Sequence, residues 1–245
     1  MRLDRVVALV LVTMLAAGFA AADVKVVQAH HQDGFTMMGQ SQPATDEEHV
    51  TWLGDRKMRM DQGSTSTVVL LDEKKMYIIN HSDSTYAVVD LPVDLNTLLP
   101  PGMADQMMKM MQFDVTITAT DETKKIGEWN ARRYDMKMTS KMMNMDSVLW
   151  ASKDTPVDVE QWVDLYGEVM RLQPGMQAMI DKIATIDGFI VAQEATMSMS
   201  FAADTKVGSS DRVVSIEETD PPAGTYAPPA GSTRKDFNYM EMMKE

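Results

Sequence analysis

The stretch "FDVTITATDETKKIGEWNARRYDMKM", residues 113–138, carries the pattern that decides the fold. Apolar and polar residues alternate within "FDVTITAT", residues 113–120, and again within "RRYDMKM", residues 132–138. The turn signal Ile126-Gly127-Glu128 lies between the two runs. Because a period of two places successive side chains on opposite faces of a β-strand, each run predicts a strand with one buried face.

The same alternation recurs on both sides of this stretch. "KMRMD" at residues 57–61 and "ATMSMSF" at residues 195–201 alternate in the same way. Less regular strand candidates, separated by turn signals, are Val24–His31, Glu48–Leu53, Ser66–Leu71, Met76–Asn80, Thr85–Val89, Ser147–Ala151 and Arg212–Glu217. Together these segments predict about ten or eleven antiparallel strands, which is enough for one large curved sheet.

Two segments have helical spacing instead of alternation. Val93–Met111 is helical in character and is interrupted by Pro100-Pro101-Gly102. Within Asp158–Ile186, apolar residues recur every three or four positions, with a break at Pro174-Gly175. The helices are therefore inserts between runs of strands. This order predicts an α+β fold, a large curved antiparallel sheet with helical inserts covering its concave face.

The chain begins with the layout of a secretory signal peptide. Two arginines, Arg2 and Arg5, precede an apolar run over residues 6–19, and three alanines follow at residues 20–22. This order predicts cleavage before Asp23 and a periplasmic or secreted protein; an uncleaved N-terminal anchor is the alternative. We expect a signal peptide at residues 1–22, a single domain at 23–232, a flexible C-terminal tail at 233–245, and no stable membrane insertion after cleavage.

Charge and cysteine content exclude several classes of protein. With 23 basic and 36 acidic residues the net charge is −13, so neither nucleic acid nor an anionic membrane surface is an expected partner. The absence of cysteine excludes disulfides, thiolate metal sites and cysteine nucleophiles. The sequence has no G-x-S-x-G elbow, G-x-G-x-x-G loop, P-loop or H-E-x-x-H motif. We expect a protein that is not an enzyme and carries no cofactor.

The most unusual feature of the composition is its 25 methionines, five of which lie in "PGMADQMMKMMQ", residues 101–112. On a helix, four of these five share one face, and the i, i+2 pairs on strands also point inward. Methionine adapts to varied apolar shapes, so we expect an apolar cavity for a hydrophobic small molecule or acyl chain. The predicted lining residues are Met58, Met60, Met107, Met110, Met111, Tyr134, Met136, Met138, Met197, Met199 and Phe201.

Two other functions remain open. Thioethers are soft ligands that select Cu(I), so an exposed methionine cluster would favour copper handling in the periplasm. The candidate ligands are Met108, Met110, Met142, Met143 and Met145. If the concave face is instead filled by the protein's own helices, a structural or interaction module of the cell envelope is favoured, with another envelope protein as its partner.

The histidines give no clear site in the sequence. His30 and His31 are adjacent, so in a strand they must point to opposite faces and do not form a ready-made chelate. His49 and His81 could meet across strands, although nothing in their spacing requires it. We expect each of the four to lie at the surface, and no catalytic residue is assigned.

The segment "VTWLGDRKMRMDQGSTSTVVLLDEKKMYIINHSDSTYAVVDLP", residues 50–92, resembles a signature of exported bacterial proteins grouped as domain-of-unknown-function family 4412 (DUF4412). Further similarities follow in order: "KKIGEWNARRYDMKM", "VLWASKD" and "PPAGTYAPPAG". The resemblance implies a build similar to the periplasmic carriers LolA, LolB and LppX. In those carriers a half-barrel sheet has helices on its concave side and binds lipid or lipoprotein acyl chains. Because the family has no established activity, the resemblance implies no catalytic residues.

Overall fold

The structure, a computed structural model, describes residues 22–37, 40–200 and 202–239. The strands are β1 (Val24–Gln32), β2 (Phe35–Met37), β3 (Gln40–Gln42), β4 (Thr45–Gly54), β5 (Lys57–Gln62), β6 (Thr65–Leu70), β7 (Lys75–Asn80), β8 (Thr85–Asp90), β9 (Asp114–Ile126), β10 (Trp129–Thr139), β11 (Met143–Ser152), β12 (Phe189–Met199), β13 (Ala202–Glu218) and β14 (Thr233–Arg234). The helices with defined bounds are α1 (Leu95–Leu98), α2 (Met103–Met110), α3 (Val159–Met170) and α4 (Gln177–Ile183).

One sheet of 12 strands dominates the molecule, in the order β14-β8-β7-β6-β5-β4-β1-β13-β12-β11-β10-β9. Neighbouring strands are antiparallel, except that β14 runs parallel to β8. The sheet is not closed, because β14 and β9 are its two edges. Strands β2 and β3 form a separate two-stranded sheet. The prediction of an α+β fold built on a large antiparallel sheet is confirmed.

The eleven strand segments expected from alternation all form strands of the large sheet. The strands that were not predicted are short: β2 and β3 have three residues each and β14 has two. A segment of two or three residues is too short to display a period of two, which explains why the pattern does not reveal it.

Both expected helical segments are also confirmed, with breaks where proline and glycine predict them. Gly102 precedes α2 with a φ of 80°, and Gly175 lies between α3 and α4 with a φ of 82°. At Gly175 a Cβ atom would lie 1.9 Å from the carbonyl oxygen of Met111, so only glycine fits. Helix α3 begins after Asp158, whose side chain accepts a hydrogen bond of 3.1 Å from the Gln161 amide.

Helices α3 and α4 pack against one face of the large sheet, which we call the helix-covered face. Two apolar clusters hold them there. The first joins Leu165 of α3 to sheet residues that include Val26, Leu53, Met58, Val69 and Met76. The second joins Met179, Ile180 and Ile183 of α4 to residues that include Tyr134, Met136, Met138 and Leu149.

The C-terminal segment packs against the sheet. Arg59 alternates with Met58 and Met60, so it points away from the helix-covered face, and its Nη1 donates to the Thr225 carbonyl at 3.0 Å. Close by, the Tyr226 hydroxyl donates to Asp23 Oδ2 at 2.6 Å. Burial and this carboxylate raise the pKa of Tyr226, so the hydroxyl stays protonated as a donor.

The expected flexible tail requires correction over its described part. Thr233 and Arg234 pair with Thr85 and Tyr86 of β8. Further on, Tyr239 is 1% exposed in a third apolar cluster with Leu95, Leu99 and Ala104. Backbone pairing and one buried aromatic ring therefore hold residues 233–239 against the domain.

Among the described residues, no helix has both the length and the apolar character needed to cross a membrane. Residues 1–21 lie outside the described part, so the signal peptide and the periplasmic or secreted location remain predictions.

Candidate functional site

A cavity of about 330 Å³ lies between α3, α4 and the helix-covered face. It is a gap between the two apolar clusters, where the side chains of the helices do not fill the space above the sheet. Its lining residues are Gln28, His30, His49, Thr51, Met60, Gln62, Trp162, Tyr166, Met170, Met176, Met179, Ile183, Phe189, Ile190, Ala192, Gln193 and Asp211.

The helices form an apolar roof over the cavity. Trp162 and Tyr166 are four residues apart on α3, so they share a face of the helix, and their rings stack with centroids 5.1 Å apart. Phe189 at the start of β12 meets the Trp162 ring edge-on at 5.4 Å. Methionines of α3, α4 and the connection between them complete the roof, and their flexible side chains suit an adaptable surface.

The sheet forms the floor of the cavity and supplies most of its polar lining residues, whose positions follow from strand register. Gln28 of β1 lies opposite His49 of β4, and His30 of β1 lies opposite Asp211 of β13. Residues directly opposite in antiparallel strands project from the same face. Gln28 and His30 are two residues apart, so all four side chains share the helix-covered face.

His30, His49 and Asp211 form the most concentrated polar group of the floor. His30 Nδ1 lies 2.7 Å from Asp211 Oδ1, and the His30 and His49 rings stack with centroids 4.8 Å apart. The side chains of His30, His49 and Asp211 are 21%, 14% and 30% exposed. Because an ionised carboxylate only accepts hydrogen bonds, His30 donates through Nδ1.

Tyr166 brings a neutral hydroxyl to this environment. Burial raises the pKa of the Tyr166 hydroxyl above its ordinary value, and the negative charge of Asp211 raises it further. Its ring therefore stays uncharged at physiological pH, and its hydroxyl proton remains available to an acceptor.

This arrangement combines an apolar roof with a floor of amides, imidazoles and one carboxylate. A ligand with an apolar body and a polar end matches both surfaces. The two imidazoles and the carboxylate can also bind a cation or exchange protons with a bound molecule. Lysine and arginine are absent from the described lining residues, so the site presents no fixed positive charge.

Most of the residues expected to line a cavity lie elsewhere, and this prediction requires correction. Met60 lines the cavity. Met58, Tyr134, Met136 and Met138 are buried within the two apolar clusters, where side chains of the helices fill the space above them.

The remaining predicted lining residues also lie away from the cavity wall or outside the description. Met107 packs in the third apolar cluster, and Met111 packs against the second. Met197 and Met199 are half-buried on β12. Phe201 and the side chain of Met110 lie outside the described part of the chain.

The candidate copper ligands are divided between two elements. Met108 lies on α2 and is 38% exposed, whereas Met142, which is 42% exposed, immediately precedes β11. Met143 and Met145 are half-buried on β11. The candidate copper ligands therefore do not lie together on one helix or strand.

Strand register instead groups a different set of methionines. Met145 of β11 lies opposite both Met138 of β10 and Met197 of β12. Met143 lies opposite Met199 in the adjacent row. We call these five residues the methionine rows; they share the helix-covered face, with directly opposed Cβ atoms about 4.5–5.5 Å apart.

The expectation that His30 and His31 point to opposite faces is confirmed. His31 Nδ1 lies 2.8 Å from Asp46 Oδ1, away from the cavity. Surface positions were also expected for His30 and His49, and these expectations are wrong because both rings lie half-buried in the cavity floor. His49 meets His30 rather than His81, whose Nε2 is 2.6 Å from Ser66 Oγ.

The sequence contains a signal that could have indicated this site. Within β1, Val24 and Val26 are followed at the same parity by Gln28 and His30, so one face changes from apolar to polar along the strand. A polar pair on an inward face often marks a site. However, Asp211 joins it only through the pairing of β1 with β13, which the local pattern does not specify.

Comparison with known proteins gives a family but no activity. No curated protein matches the chain. The family match spans residues 33–232, which include His49, Asp211, α3 and α4 but not His30. With most of its length matched, the chain belongs to the family described as a domain of unknown function, DUF4412.

Proposed function

We propose that this protein is an exported, non-catalytic binding protein that holds a lipid-like or other hydrophobic ligand. The observation that carries the proposal is the cavity of about 330 Å³ between α3, α4 and the sheet. Ligand sites in proteins are typically concave and mostly apolar, with a few polar groups that orient the ligand. The roof and floor of this cavity divide those two roles between the helices and the sheet.

The lining favours an amphiphile over a purely apolar ligand. Trp162, Tyr166 and Phe189 offer flat apolar surfaces, and Met170, Met176 and Met179 can adapt to a flexible chain. Gln28, Gln62 and Gln193 offer amide donors and acceptors on the floor. An acyl chain would lie under the helices, with its polar end directed to the floor.

The resemblance to LolA, LolB and LppX supports the same function. An open antiparallel sheet with helices on one face agrees with the carrier build that the resemblance implies. The signal-peptide pattern of residues 1–22 supports export to the periplasm. In this proposal the protein carries or senses its ligand and passes it to another envelope protein.

Binding of cis-parinaric acid, a naturally fluorescent fatty acid, to the purified protein tests the proposal. Met60→Trp places a larger side chain in the cavity wall and should weaken binding about tenfold or more. Met108→Trp is the matched control on α2, where the side chain is already exposed, and it should bind like the wild type. Circular dichroism confirms that both variants fold.

Native mass spectrometry of protein purified from the cells that produce it identifies the natural ligand. A co-purified fatty acid or phospholipid mass, absent from Met60→Trp, would support the proposal. Wild-type protein that neither carries a lipid nor binds the fluorescent probe would contradict it.

Soft-metal handling is the second candidate function, and the methionine rows favour it. Met138, Met145 and Met197 occupy one row across three strands, and Met143 and Met199 occupy the next. These side chains share one face of the sheet, and thioether sulfur is a soft ligand of the kind that Cu(I) prefers.

Competition with a Cu(I) chelator tests this second candidate. The double variant Met145→Leu/Met197→Leu keeps the side-chain volume and should weaken Cu(I) binding about tenfold or more. The control Met103→Leu/Met107→Leu on α2 changes two methionines that are not candidate copper ligands, and it should leave Cu(I) binding unchanged. Equal Cu(I) affinity in the wild type and in Met145→Leu/Met197→Leu would contradict copper binding by the methionine rows.

A further inference from the structure

We propose that His30, His49 and Asp211 bind one divalent transition-metal ion, with Zn²⁺ as the best match, at the floor of the cavity. The proposal does not depend on lipid binding, because these side chains would hold a metal whether or not an apolar ligand lies above them. It adds a metal site that neither the family nor the sequence motifs assign.

Strand order brings the three side chains together. They come from β4, β1 and β13, which are adjacent in the sheet. One ligand atom from each of the three side chains lies within 4.8 Å of the other two. All three project from strands held by antiparallel pairing on both sides of β1, so a metal would need only side-chain movement.

The distances are close to those of a coordination sphere. Zinc bonds to nitrogen and carboxylate oxygen are about 2.0–2.2 Å long, which places ligand atoms of a tetrahedral site about 3.3–3.5 Å apart. Closing the gap from 4.8 Å requires a shift of roughly 1.5 Å, which rotation of an imidazole about its χ angles provides. The half-buried side chains border the cavity, so this movement has room.

The donor set also matches the metal. Two imidazoles and one carboxylate are ligands that zinc accepts, and three protein ligands leave a fourth position for water or a bound molecule. Here that position would face the cavity. Imidazole nitrogen also suits Cu²⁺ and Ni²⁺, whereas Mg²⁺ and Ca²⁺ prefer oxygen ligands.

The surroundings add negative charge that favours a cation. Glu47 Oε2 lies 3.5 Å from His49 Nε2, in the position of an outer carboxylate that orients a histidine ligand. The described part of the cavity wall contributes no lysine or arginine that would repel the ion. The whole chain carries a net charge of −13.

Isothermal titration of tag-free, metal-stripped protein with Zn²⁺ tests the proposal. The wild type should bind one ion, and His30→Ala and His49→Ala should each weaken the affinity about a hundredfold or more, with Asp211→Asn losing about tenfold or more. His31→Ala is the matched control: it removes a neighbouring histidine that points to the opposite face, and it should leave the affinity unchanged. Zinc does not favour thioethers, so the methionine rows do not contribute.

Circular dichroism and thermal unfolding establish that each variant folds. Should His30→Ala fail to fold, His49→Ala and Asp211→Asn carry the test. Substitution of Co²⁺ for Zn²⁺ in the wild type provides a separate readout, because four-coordinate Co²⁺ has intense visible absorption. The absence of Zn²⁺ binding by the wild type would overturn the proposal, as would equal losses in His31→Ala and His49→Ala.

Discussion

The two ends of the helix-covered face differ although the same strands, β1 and β4, run through both. At the packed end, Val26 and Leu53 are buried in the same apolar cluster as Leu165 of α3. At the cavity end, Gln28 and His49 lie opposite each other beneath a gap. An inward-facing position in this sheet therefore becomes solid core or cavity floor according to what the helices place above it.

Hydrogen bonds that anchor α3 contribute to the difference between the packed end and the cavity end. The Arg56 amide, at the turn between β4 and β5, donates to the side chain of Gln161 at 2.8 Å. The Val93 amide donates to the buried carboxylate of Glu168 at 3.0 Å, and Arg171 pairs with the same carboxylate. These bonds hold α3 where Leu165 meets the sheet, whereas the cavity end is covered by broad aromatic rings.

The largest expected effect comes from breaking the connection that positions both helices. Gly175→Ala combines a left-handed backbone, costing about 1–2 kcal/mol, with a Cβ clash against the Met111 carbonyl that adds about 1–3 kcal/mol. Gly224→Ala is the control, since Gly224 has a φ of 85° but nothing within 4 Å of the new Cβ. Urea denaturation measures the free energy of unfolding of both variants. Equal decreases in Gly175→Ala and Gly224→Ala would contradict the role assigned to the clash with the Met111 carbonyl.

Exchanging polarity between the two ends tests the comparison directly. Val26→Gln buries an amide at the packed end and should lower the free energy of unfolding by about 1–3 kcal/mol. Gln28→Leu makes the opposite change on the same strand and face, and it should shift this free energy by less than about 1 kcal/mol because its side chain borders a cavity. Chemical denaturation of the two variants measures both free energies of unfolding. A larger decrease for Gln28→Leu than for Val26→Gln would contradict the assignment of the packed end and the cavity end.

The smallest expected effect concerns a surface ion pair at the turn between β7 and β8. Lys235 Nζ lies 2.7 Å from Asp83 Oδ2, and hydrogen bonds from Lys235 and Thr85 lower the pKa of Asp83 below its ordinary value of 3.8. A lowered folded-state pKa stabilises the protein above pH 3.8, and this contribution is lost as the pH falls through the folded-state value.

Asp83→Asn should therefore slightly reduce stability at neutral pH, and its difference from the wild type should vanish in acid. Urea denaturation over a pH series measures this difference. The pair is solvent-exposed, so high salt should also reduce it. A difference that grows as the pH falls would contradict this explanation.

Sequence pattern predicts which face of the sheet a residue points to, but not what lies above it. Met58 and Met60 were correctly placed on one face, yet Met58 is core and Met60 lines the cavity. The difference depends on the position of α3, which is set by contacts such as that of Val93 with Glu168, 75 residues apart. Periodicity carries no information about such a distant contact.

The candidate site was missed for a related reason. His30 and His49 lie on strands that the pattern predicted, but their meeting requires the register of β1 with β4. Asp211 requires in addition a pairing between His30 and a residue 181 positions away. Alternation determines neither register. The pairing of Thr233 and Arg234 with β8 was missed because it depends on backbone groups and not on side-chain pattern.

The position of β1 has a consequence for how the chain folds. One neighbour, β4, follows soon after it, but the other is β13, so that Val24 pairs with Glu218. Contacts between such distant residues slow folding, because a long loop must close before they form. Until β13 pairs with β1, the backbone groups along one edge of β1 are unpaired, and a strand of another chain could pair with them. A chain truncated before residue 202 would keep that edge, and we expect it to aggregate.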